Sequence, residues 1–199
     1  MKITIQEVSL RNFFSVGNKW LSLQFDKGLF QVTGHNLDTN TRNGVGKSIT
    51  ICDSLMFAFF GKPVRKINLT DIPNTINGKK ACEVKLKFLV EDKPYMIHRG
   101  LKPGFLILYE NYKEGDEKLS KNENEKQDCL QKLTQKRIHE LINANFNTFS
   151  HVLIMSNSYT SSFLDLEKAK KREIIEDILG ISIFGKMCDV AKDVSLENK

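Results

Sequence analysis

The chain lacks the patterns that mark several common function classes. Its four cysteines, Cys52, Cys82, Cys129 and Cys188, stand far apart and form no Cys-x-x-Cys pair. That spacing disfavours a zinc site, and Cys52, inside an apolar helical pattern, reads as a buried thiol. His35, His98, His139 and His151 show no metal-ligand spacing and read as structural or exposed. No apolar run is long enough to span a membrane, and the amino terminus alternates like a strand instead of carrying a secretory core. A soluble, reducing, cytoplasmic setting is expected. The charge excess is modest: 30 Lys and Arg against 24 Asp and Glu, a net +6. This balance permits nucleic-acid binding without arguing for it. A chain of 199 residues is long enough for one good core.

What the chain does have is Arg42-Asn43-Gly44-Val45-Gly46-Lys47-Ser48. An apolar run, Leu29 to Thr33, precedes it and reads as a strand; a helical pattern from Ile49 to Phe60 follows. Strand, glycine-rich turn and helix together form the context of a phosphate-binding loop. Glycines let successive backbone N–H groups turn toward one anion, and the helix adds its positive end. Lys47 supplies a mobile charge for the β- and γ-phosphates, and the Ser48 hydroxyl a ligand for Mg²⁺. The simplest form of the pattern wants glycine where Thr41 stands. Gly34 supplies one just after the strand, so His35 to Thr41 reads as an insertion in the loop.

The remaining elements follow from periodicity. Met1 to Leu10 and Trp20 to Phe25 alternate as strands around an Arg11–Asn18 loop. Ala81 to Val90 alternates through Cys82, Val84, Leu86, Phe88 and Val90, with Glu83, Lys85 and Lys87 on the wet face. Lys93 to His98 and Phe105 to Tyr109 complete an antiparallel meander. The helix after the phosphate loop is apolar on most sides, with Gly61 as its C-cap and Pro63 as its stop. Lys62 to Lys80 reads as an exposed connector, with Lys62, Arg65, Lys66, Lys79 and Lys80 able to meet a DNA backbone. Tyr112 to Lys126 is charged and reads as a loop. Gln127 to Asn143 has helical spacing, Val152 to Met155 suits a buried strand, and Ser156 to Ser162 is a polar loop. Glu167 to Leu179 is a helix capped by Ser162 or Asp165, with Lys168, Lys170, Lys171 and Arg172 opposing the dipole at its start and so wanting partners. Beyond Gly180 the apolar spacing resembles the opening of a coiled coil. Its stop at Lys199 suggests a fragment of something longer.

Taken together, Arg11-Asn12-Phe13, Gly34, Asn43 to Ser48, Phe57 to Gly61 and the Lys171-Arg172-Glu173-Ile174-Ile175-Glu176-Asp177-Ile178-Leu179-Gly180 segment resemble the amino-terminal half of an SMC-like ATPase head. Within that family the chain is similar to the large subunits of T-even-phage-type recombination endonucleases, relatives of the double-strand-break repair ATPases. The resemblance covers almost the whole chain. It implies an α/β fold: the amino-terminal lobe of an ABC/SMC-type P-loop NTPase head, residues 1–180, with mixed and antiparallel sheet. The start of a coiled-coil helix follows at 181–199.

The resemblance further implies ATP and Mg²⁺ as cofactors, and a function in gating a partner nuclease during DNA end processing, recombination and repair. The implied partners are that nuclease, a carboxy-terminal head lobe, a second head in a homodimer, and double-stranded DNA without sequence preference. Hydrolysis would need the carboxy-terminal lobe, which carries the acidic segment, the second signature motif and the switch histidine; none is found here. The isolated chain is therefore expected not to turn over ATP. The rival readings are a non-hydrolysing nucleotide-binding or head-interacting regulatory domain, and a small complete kinase or GTPase. Against the latter stand the missing acidic strand end and base-specific motif.

The candidate nucleotide-binding residues are Arg11, Asn12, Gly34, Arg42, Asn43, Gly44, Val45, Gly46, Lys47, Ser48 and Ile49. Arg42 either reaches a phosphate or is solvated. Arg11 and Asn12 lie by resemblance near the base and α-phosphate, against a plain surface-loop reading. Ser48 and Asn157 are the candidate metal ligands, and Lys47 and Asn157 the candidate catalytic residues. Asn157 stands where the family places a glutamine that senses the γ-phosphate; a local turn role is its alternative. Asp53, inside an apolar helix, reads as a structural hydrogen-bonding residue.

Overall fold

The computed structural model describes residues 2–42, 44–113, 127–154 and 163–181, with Phe184, Met187, Cys188 and Ala191; at 127–130 it describes the backbone alone. Two compact units divide the chain, Met1–Ile142 and Asn143–Lys199.

The first unit is built on a five-stranded sheet: β1 (Ile3–Arg11), β2 (Leu21–Gln24), β3 (Cys82–Val90), β4 (Lys93–Leu101) and β5 (Phe105–Glu110). The order is β2-β1-β3-β4-β5 and every pairing is antiparallel. Alternation of β3 sets the two faces. Cys82, Val84, Leu86, Phe88 and Val90 are buried, while Glu83, Lys85 and Lys87 face the other way. A shift of register between Ile5 and Glu7 marks a bulge in β1.

The covered face packs on α1 (Ser54–Phe60), whose residues are buried from Ser54 to Phe59. Phe59 meets Phe88 edge-on at 5.4 Å, and Phe57 meets Phe13 at the same separation. Full burial of such a ring contributes about 2–3 kcal/mol. Helix α1 stops as the sequence predicts. Gly61 takes the left-handed conformation, φ 74°, and its N–H donates to Phe57 O. Arg99 of β4 finishes the cap by donating to Ala58 O (3.0 Å) and Phe59 O (3.4 Å). Gln135, on α2 (Gln127–Ile142), donates to Phe59 O as well. Burial pushes the Arg99 pKa down to about 10, so the guanidinium stays charged at neutral pH beside the carbonyl end of the helix.

In the second unit, α3 (Phe146–Thr148) is capped by Asn145, whose side chain accepts from Thr148 N. It lies against α4 (Lys168–Leu179), where the Asp177 carboxylate accepts from Asn145 N at 3.1 Å and from the Thr148 hydroxyl. Glu167 is the N-cap of α4, in place of Ser162 or Asp165, and makes no side-chain cap bond. Of the basic residues at its start, Lys171 donates to Leu164 O and Arg172 pairs with Glu176 one turn on.

Two expected strands are not formed among the described residues. Leu29 to Thr33 is not extended into the sheet, and Leu29, Phe30 and Val32 are exposed. A strand needs a neighbour's N–H and C=O groups, and among the described residues no segment pairs with this one. Val152 to Met155 is not a strand either: Phe149–Leu153 is a π-helical turn with Val152 and Leu153 exposed, and Met155 lies outside the described residues. The pairings among the described strands are all antiparallel, in keeping with the α/β head-lobe fold. The helix from Ile49 also opens with wide π-type turns over Ile49–Asp53 before α1.

Candidate nucleotide site

The glycine-rich stretch lies at the start of this π–α helical segment. Gly44 and Gly46 have φ of 73° and 78°. These are left-handed values that side chains resist, and they turn the chain sharply before Lys47. A Cβ on Gly34 would lie 2.4 Å from Val45 Cγ2. The residue just after the apolar run therefore has to be glycine for the loop to fold back on it. Thr50 closes the first turn, its N–H and hydroxyl both donating to Gly46 O at 2.9 and 3.0 Å. Lys47 Nζ reaches across the loop to Arg42 O at 3.3 Å, and Ser48 is exposed.

The inserted segment is an ordered turn. Asn36 Oδ1 accepts from Asp38 N and Thr39 N, and Asn36 N donates to Thr41 O at 2.7 Å. This Asx-turn closes the insertion on itself. It also brings Asn36 Nδ2 to 3.2 Å from the point a Gly44 Cβ would occupy. From the other side the Arg11–Asn18 loop approaches, and Ser15 Oγ lies 3.4 Å from the equivalent point on Gly46.

Gly34, Arg42, Gly44, Val45, Gly46, Lys47, Ser48 and Ile49 thus form one cluster. Arg11 and Asn12 are held otherwise. Arg11 donates to Glu83 at 2.7 Å and lies 4.9 Å from the Trp20 ring centroid. Burial pushes the Glu83 carboxyl up, but hydrogen bonds from Arg11 and His98 together outweigh it and hold the group below its ordinary value. Asn12 is buried, its amide donating to Asn18 and Ala81 O and accepting from Asn77. Asn43 and Asn157 lie outside the described residues.

Asp53 turns away from phosphate chemistry. Only 1% exposed, it accepts from Val64 N, Arg65 N and the Arg65 guanidinium, the last at 2.6 and 2.8 Å. It anchors the segment after α1 to the π-helical turn. Arg65, counted among the basic candidates for DNA, is engaged in this pair and stacks over Phe14 at 5.0 Å. Lys79 lies 3.5 Å from Asp71. Cys52 is half-buried, and burial, reinforced by the charge of Asp53, pushes its thiol up and away from reactivity. Ser15 and Asn36 escaped the sequence reading. Asn36-Leu37-Asp38-Thr39 carries an Asx-turn signature that points to the second; nothing local points to the first.

A family model described as AAA domain matches residues 7–183. The chain belongs to the AAA domain family. Exonuclease subunit 2 of Enterobacteria phage T4 is 27% identical over 184 residues, 92% of this chain and 30% of that protein. Exonuclease subunit 2 of Escherichia phage RB69 is also 27% identical, over 94% of this chain and 30% of that protein. The DNA double-strand break repair Rad50 ATPase of Methanocaldococcus jannaschii is 28% identical over 94% of this chain and 16% of that protein. A solved chain described under ATP-driven dimerization and DNA-stimulated activation of SMC ATPases aligns with 88% of this chain at 20% identity, with a TM-score of 0.49. The resemblance to the amino-terminal part of SMC/Rad50-like ATPases is borne out. This AAA domain spans about 30% of the length of its phage relatives. Among its described residues no helix is long and apolar enough to cross a membrane.

Proposed function

We propose that this AAA domain is the ATP-binding part of an SMC-like head that gates a partner nuclease during DNA end processing. The observation that carries the reading is the cluster at the helix start: Gly44 and Gly46 with positive φ, Lys47 crossing the loop, Ser48 exposed beside it. These groups match an anion held by a helix start, with lysine on the outer phosphates. Mg²⁺, held by Ser48, would neutralise charge on the phosphate oxygens. Supporting a complementary second lobe is the exposed apolar run before the loop, Leu29, Phe30 and Val32, which lacks partners among the described residues. Turnover requires that lobe and a second head. Duplex DNA meets Lys62, Lys66 and Lys80 through its phosphates, without sequence preference and with steep salt dependence.

Calorimetry with Mg-ATP tests the core of this reading. Lys47→Ala is expected to weaken binding at least tenfold, a loss of about 1.4 kcal/mol or more for the charge pairing. Unchanged affinity in that variant would remove the phosphate assignment.

A further inference from the structure

The Arg11–Asn18 loop is tied to the molecule by residues 72–77, and Asn74 is the centre of the tie. Asn74 is 5% exposed in a segment without regular secondary structure. A buried amide must find partners, and all of its groups have them. Asn74 Nδ2 donates to Val16 O (3.2 Å), Oδ1 accepts from Asn77 N (3.1 Å), the backbone N–H donates to Asn12 O (2.8 Å), and the carbonyl accepts from Lys79 N (2.9 Å). Around it, Phe14 N donates to Ile72 O at 2.7 Å, Phe13 bridges Pro73, and Asn77 Nδ2 donates to Asn12 Oδ1 at 2.9 Å.

The loop so held is in an unfavourable conformation. Asn12 and Phe14 have φ of 49° and 51°, values that non-glycine residues keep only where the surroundings over-determine them. The result is a loop with two outputs. Phe13, fully buried, grips Phe57 of the helix that follows the phosphate loop. Ser15 stays exposed with its hydroxyl beside Gly46. An apolar residue at 74 would fill the space but leave Val16 O without its donor, and Val16 adjoins Ser15.

We propose that Asn74 is a positioning residue for the nucleotide site: through Val16 it holds the loop that sets the Ser15 hydroxyl against the phosphates of a bound nucleoside triphosphate. This rests on the nucleotide reading above. Asn74 touches no ligand; Ser15 is the group through which it acts.

A double-mutant cycle on the full-length protein, read by Mg-ATP affinity, tests the idea. Ser15→Ala and Asn74→Ala are each expected to weaken binding about fivefold, roughly the factor carried by one neutral hydrogen bond. The double variant is expected to be no weaker than the weaker single one, because the hydroxyl that Asn74 positions is already gone. Equal effects of Asn74→Ala in both backgrounds, or none in either while Lys47→Ala destroys binding, would overturn the proposal and leave the nucleotide reading intact. Unchanged affinity in Lys47→Ala would remove both. If Asn74→Ala does not fold, Asn77→Ala, at an exposed position on the same tie, takes its place in the cycle; coupling to Ser15 supports the proposal and its absence refutes it.

Discussion

Asp53, the buried acidic residue of the helical segment after the glycine-rich stretch, separates a structural from a chemical role. Asp53→Asn keeps the shape and one acceptor oxygen, so Val64 N and Arg65 N retain a partner. What it removes is the charge opposite the Arg65 guanidinium, now 2.6 and 2.8 Å from Asp53 Oδ2. Taking one partner from a buried pair costs about 3–5 kcal/mol. The Arg65 side chain is 19% exposed and also rests on Phe14, which places the cost near the lower bound, about 3 kcal/mol. With a urea slope of about 2 kcal/mol/M, the unfolding midpoint should fall by about 1.5 M at unchanged slope. Mg-ATP affinity of the folded variant should stay within about two- to threefold, the factor that about 0.5 kcal/mol allows, because the carboxylate faces the Val64–Arg65 backbone. A midpoint shift under about 0.5 M together with lost nucleotide binding would refute the reasoning and move Asp53 into the site.

Gly34→Ala should weaken Mg-ATP binding and lower the thermal midpoint, at a cost of about 1–3 kcal/mol for the clash with Val45; Val45→Ala in the same chain should restore part of both, and a scan of the double variant checks it. Glu83 sets a pH dependence. Its folded pKa lies below the ordinary glutamate value of 4.5, so its ion pairs stabilise the fold above that value and are lost as pH falls through the depressed one. Urea midpoints between pH 7 and pH 3 should therefore decline at the acid end, and Glu83→Gln should be less stable at pH 7 with a shallower acid decline. Purified Met1–Lys199 should show no multiple turnover of ATP in a phosphate-release assay; turnover lost on Lys47→Ala would contradict the need for a second lobe.

Local pattern was enough to determine a good part of this AAA domain. The alternation of Cys82 to Val90 sorts the faces of β3 correctly, because a side-chain period of two leaves one register that buries every apolar residue. The apolar helix after Ser48 and its stop at Gly61 were equally legible, because the left-handed glycine and its bond to Phe57 O are local; only the donors that complete the cap, Arg99 and Gln135, come from elsewhere. The sharp turn at Gly44 and Gly46 belongs with them, since the glycines that take positive φ stand next to the helix they precede. Tertiary structure decided what depends on distant partners. Leu29 to Thr33 has the composition of a strand, but a ladder requires a second backbone, and the described residues offer none beside it. Val152 and Leu153 are apolar enough for a buried strand, yet the chain continues the turn begun at Asn145 into a helical one. Asp53 finds its partner 12 residues on at Arg65, and Asn12 its own at Asn77 and Ala81, 65 and 69 residues away. No local pattern encodes such pairings, because each is a hydrogen-bond demand created by burial and met only after the chain has closed over it.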